Sequence, residues 1–142
     1  MAEHDPIDLI HLDYAVGGSS LLVRVTGQDG TTHDGLPILA GDLQITSTLV
    51  SGGRPTAIFP EDLDDWERTL DVLASGRSAV WREDQRATEI HLLLDEEDHY
   101  TVVSVRDLMG ALVTVDLCME LPDDWIADHR ARLAQVRARW TA

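Results

Sequence analysis

Lysine is absent from this chain of 142 residues, and cysteine occurs once, at Cys118. A single cysteine excludes an intrachain disulfide and leaves no basis for a cysteine-built zinc site. Positive charge is scarce and all of it is arginine: 11 basic residues stand against 26 acidic ones, a formal net charge of -15. Such a surface repels phosphate backbones and anionic lipid, which disfavours nucleic acid and membrane as partners and favours attraction of a basic protein. No apolar run reaches membrane-spanning length, and Met1 to Pro6 has neither the basic flank nor the apolar stretch of a secretory signal. The expected setting is cytoplasmic.

Recognisable chemistry is equally sparse. The six histidines form no His-x-x-x-His or His-x-His pair, serines lack a Gly-x-Ser-x-Gly elbow, and the glycine-rich stretches lack a phosphate-loop lysine. Neither a cofactor nor a resident metal is expected, and no residue is assigned a catalytic role. Three weak polar candidates remain. Asp62 and Asp65 share one side of a helix at a spacing of three, and His99 sits beside an acidic turn. The simpler expectation is solvated helix-start acids and a solvated turn histidine. Cys118 reads as a buried or half-buried thiol, and His129 as a packed or edge histidine of the last helix.

What is present is a globular pattern. Apolar residues make up 44% of the chain, enough for one core in one domain spanning 1–142. Residues 1–6 read as a loose tail. Ile7 to Tyr14 alternates imperfectly, and after Gly17-Gly18 the run Leu21, Val23, Val25 supplies the second arm of a hairpin. Residues 27–41, rich in Gly, Asp and Thr, read as a long loop. Leu43, Ile45 and Leu49 mark another strand, and 56–59 a short one.

Pro60 opens a helix over about 60–75. It carries acids in its first turns, an apolar stripe of Leu63, Trp66, Leu70 and Leu73, and a stop at Gly76. Short strands follow at 79–81, 89–94 and 100–105, with turns at Asp95 to Asp98 and Met109-Gly110. Ala111 to Leu121 is the longest clean alternation. A second helix over about 122–140 carries Trp125, Ile126, His129, Leu133, Val136 and Trp140 on one stripe. The expected architecture is α+β: a mainly antiparallel sheet of about 7–8 strands, curved or split, under two amphipathic helices. A duplicated meander-plus-helix unit is one way to build it.

The segment Pro60-Glu61-Asp62-Leu63-Asp64-Asp65-Trp66-Glu67, with Leu70, Leu73 and Gly76 after it, resembles small uncharacterised domains of Streptomyces and related actinobacteria. The opening Ile-x-Leu strand, the Ser-Gly passage between strands and the closing Trp125-Ile126-Ala127-Asp128-His129-Arg130 are similar too. The resemblance implies a bacterial, cytoplasmic domain and carries over no activity.

Three functions follow. The first is an acidic protein-interaction module that neutralises a basic partner as an immunity protein does, with Trp81, Arg82 and Trp140 as interface candidates. The second is a small-molecule binder or hydrolase-like enzyme with an acidic crevice. The third is a self-associating structural protein, a homodimer paired through an open strand edge.

Overall fold

The computed structural model describes residues 5–83, 87–95, 97, 99–108 and 112–140. Eight strands form two four-stranded antiparallel meanders: β1 (Ile7–Tyr14), β2 (Ser19–Thr31), β3 (Pro37–Thr46) and β4 (Ser51–Ile58), then β5 (Ala79–Trp81), β6 (Glu89–Leu94), β7 (Thr101–Asp107) and β8 (Val113–Met119). A helix follows each: α1 (Pro60–Ala74) after β4 and α2 (Trp125–Trp140) after β8. The α+β expectation with a split sheet is met. Both halves also have the same element order, as a meander-plus-helix unit repeated twice would.

The helices are exchanged between the halves. α1 packs on β5 of the second meander, whereas α2 packs on β1 and β2 of the first, and the helices touch each other. The polar links follow this order. His11 N–H donates to His129 Nε2 at 3.0 Å, tying α2 to β1. Arg137 reaches Asp64 and Glu67 at 2.8 and 2.7 Å, tying α2 to α1. Trp81 Nε1 donates to Asp62 O at 2.8 Å, tying β5 to α1. One apolar core draws on both sheets and both helices, including Leu12, Val23, Leu39, Trp66, Trp81, Leu92, Met119 and Val136.

Several boundaries differ from the sequence reading. Residues 27–41 are not a loop: β2 runs on to Thr31 and β3 begins at Pro37, pairing through Gly27↔Ala40 and Thr31↔Pro37 with two register shifts. Irregular pairing needs no strict alternation, so the pattern was invisible there. β2, and not the strand before α2, is the longest. β4 starts at Ser51, because main-chain pairing such as Ile45↔Gly52 and Gln44↔Gly53 needs no side chains. The untidy face of β1 is a bulge between Asp8 and Ile10, which turns both Leu9 and Ile10 inward. α2 begins at Trp125, after Pro122 to Asp124. The turn expected at Met109-Gly110 and part of the acidic turn, Glu96 and Asp98, lie outside the described residues. Among the described residues, no helix is long and apolar enough to cross a membrane.

Candidate functional site

The exposure expected of Trp81 and Arg82 is corrected by the structure: both are fully buried. Trp81 stacks edge-on against Trp66 at 5.6 Å between ring centroids, and the Arg82 guanidinium lies over the Trp81 ring at 4.4 Å. The alternation of so short a strand could not reveal that α1 covers its outer side. Trp140 is partly buried against the core, with Arg139 over its ring at 5.5 Å. Cys118 is also corrected: it is on the outward phase of β8 and exposed.

Asp62 and Asp65 do not act together. Asp62 is buried rather than solvated, and its carboxylate accepts the Phe59 N–H at 2.9 Å, closing the first turn of α1. Burial raises its pKa, opposed by that hydrogen bond and by Arg82. Asp65 accepts from the Arg82 N–H at 2.9 Å and from Arg68. His99 is exposed in the β6–β7 connection. Among the described residues no group of three or more His, Cys, Asp or Glu is placed to hold a metal.

Two other places gather polar groups. The first is a crevice of about 410 Å³ between β4, the start of α1 and the ends of β6 and β7, lined by Arg54, Thr56, Phe59, Asp62, Thr88 and Asp107 among others. Arg54 bridges it to Asp107 at 2.8 Å. The crevice continues into an apolar groove of about 320 Å³ bounded by Leu43, Ile45, Val105, Val113 and Val115. There the two sheets part: along β8 the inward residues pass from Leu117, 5% exposed, to Val113, 48% exposed.

The second place is the corner where β1 ends against the β8–α2 connection. Tyr14 and Tyr100 meet edge-on at 6.4 Å, and Tyr100 is 37% exposed. Contact with the Tyr100 side chain is the largest influence raising the Tyr14 pKa, and Glu120 adds to it. A small recess at the same end of β1 is lined by Asp13, Leu121, Asp124, Trp125, Asp128 and His129, and Asp128 is paired there with Arg132 at 2.8 Å. Asp13, Glu120, Asp123 and Asp124 are all exposed, and among the described residues none forms an ion pair.

His129 forms the floor of this corner. Its Nδ1 lies 2.7 Å from Trp125 O, and its Nε2 accepts from His11 N–H. These partners fix a neutral ring with the proton on Nδ1. Burial depresses its pKa, opposed by the hydrogen bond to Trp125 O.

The fold and these sites define a small two-sheet α+β protein with an acidic, aromatic corner and a separate inter-sheet crevice. By its sequence the chain belongs to a family of unknown function, DUF5959, whose pattern matches residues 7–141. Comparison with curated proteins and with solved structures found no match.

Proposed function

We propose that this protein is an acidic interaction module that docks a basic partner protein at the Asp13–Tyr14–Tyr100–Glu120–Asp124–Trp125 corner. The observation that carries the reading is the nearness of part-exposed aromatics to Asp13, Glu120 and Asp124, which form no ion pair among the described residues. Tyrosine and tryptophan supply contact area at low entropic cost, and surplus acid steers a basic surface into place. Six arginines are paired within the chain: Arg24 to Asp8, Arg54 to Asp107, Arg68 to Asp65, Arg130 to Asp71, Arg132 to Asp128 and Arg137 to Asp64. The net charge of -15 leaves a surplus of carboxylates to attract a basic partner.

In this reading the protein works in a bacterial cytoplasm, of actinobacterial type, and neutralises its partner as an immunity protein would. The test is quantitative capture from a native lysate with the unmodified chain and with the triple variant Asp13→Asn, Glu120→Gln, Asp124→Asn. A basic protein retained in stoichiometric amount by the first and lost by the second supports the reading. Equal retention by both removes the corner from it.

Self-association is a second reading, favoured by β8. It is an outer strand of its sheet and carries no Pro, whereas β4, an outer strand of the other sheet, has Pro55 in its middle. Sedimentation that shows only monomer at high concentration rules it out.

A further inference from the structure

Among the described residues β8 has one hydrogen-bonded neighbour, β7, and its other edge is unpaired. Its side chains alternate between two faces. Val113, Val115, Leu117 and Met119 take the inward phase, and Thr114, Asp116 and Cys118, all exposed, take the outward one. The inward row is only half used. Leu117 and Met119 are sealed in the core, whereas Val113 and Val115 line the apolar groove of about 320 Å³.

The opposite wall of that groove is short of side chains. Ile45 pairs with Gly52 and Leu43 with Arg54, and directly opposed residues share a face, so Gly52 stands on the inward face of β4 with no side chain to place there. A Cβ on Gly52 would meet nothing within 4 Å. The pairs Ile45↔Gly52 and Asp107↔Val113 both line the groove, and the turns beyond them expose Leu49 and Val50 on one side and Leu108 and Leu112 on the other. The open edge and the open groove are therefore adjacent. A strand laid against β8 would send alternate side chains into the space beside Val113 and Val115, and the rest to the face of Asp116.

Charge selects the occupant. Asp116 forms no ion pair among the described residues. Arg106, on the same face of β7, donates to Ser104 Oγ at 3.2 Å. Glu120, the next residue after β8 and on the phase of Asp116, already belongs to the acidic corner. A second copy fits this edge poorly: full antiparallel overlap would set Asp116 against its own equivalent, between chains of net charge -15 each. We propose that β8 receives an extended segment of the basic partner as an added strand. Its apolar side chains enter the groove beside Val113 and Val115, and its basic ones face Asp116 and Glu120. The proposal rests on the reading of the corner for the partner's basic character, and it carries that contact from Glu120 along β8 to the groove.

The test titrates the full chain with a synthetic peptide of alternating Val and Arg, matched to β8 in length. Two controls accompany it: the same residues in block order, and Val alternating with Glu. Methyl resonances of Ile45, Val113 and Val115 and hydrogen exchange of the β8 amides report the site. The alternating Val–Arg peptide should shift those methyl groups, protect the β8 amides and bind at least about tenfold tighter than either control. Gly52→Leu, which fills the groove, and Asp116→Asn, on the outward face, should each weaken it several-fold. If Gly52→Leu fails to fold, the peptide ranking on the unmodified protein and the Asp116→Asn titration still decide. Equal binding of the alternating and block-ordered peptides, β8 amides left unprotected, or a dimer of this chain already occupying the edge overturns the proposal. The titration needs no captured partner, so the two failures are told apart. Failure of the added strand leaves the effect of the triple variant on capture intact, and failure of the corner leaves the peptide result intact.

Discussion

Trp66 sits where the halves meet: its ring is edge-on to both Trp81 and His129, and it is fully buried. Trp66→Ala should cost about 3–5 kcal/mol, read as a drop in urea midpoint at unchanged slope. His129 gives the residue scale its pH dependence. Its folded pKa lies below the ordinary 6.5, so the unfolded chain binds a proton that the folded chain refuses. The stability this neutral ring contributes is complete above about pH 6.5 and is lost as pH falls toward the folded value. Protonation would take the Nε2 acceptor from His11 N–H. Asp128, at 3.8 Å, works against the depression, while Arg132 and His11 reinforce it. Urea midpoints between about pH 7 and pH 5.5 should fall, and His129→Gln should flatten that slope. The packed role of His129 was legible from its place on the α2 stripe, since helical spacing alone aligns it with Leu133 and Val136. The burial of Arg82 was not legible, because charge in a sequence carries no record of what folds over it.

Elements differ in how openly their patterns display them. α1 was readable from Pro60, its acidic first turn and its apolar stripe, all local signals. The lower halves of β2 and β4 were not, since Gly27, Gly52 and Gly53 hold strand geometry through main-chain pairing alone. Those glycines are also unequal. A Cβ on Gly53 would lie 2.6 Å from Leu43 O, whereas one on Gly52 would meet nothing within 4 Å. Gly53→Ala should destabilise by about 1–3 kcal/mol. Gly52→Ala should change stability little, and thermal melts of the two variants make the comparison. The crevice was likewise beyond sequence reading. It depends on the divergence of β4 from β7 and β8, and strand alternation fixes which face a residue takes but not how far two sheets stand apart.

At the scale of the whole molecule, the exchange of helices makes each half complete the other. α1 covers the second meander and α2 the first, so the apolar faces of either half alone would stand open. Unfolding followed by tryptophan fluorescence and by far-ultraviolet circular dichroism should therefore give one coincident transition. Separate transitions would show that the halves are independent. The net charge of -15 belongs to the same scale: it sets solubility and steering, and the corner at Tyr14 and Trp125 gives that field a place to act. The most direct measurement of the central claim is the association rate of the captured basic partner with the unmodified chain and with the triple acid variant, as salt is raised. The account predicts a rate that falls steeply with salt for the unmodified chain, and a slower, flatter dependence once Asp13, Glu120 and Asp124 are neutralised. Rates that are indifferent to salt and identical for the two chains would contradict it.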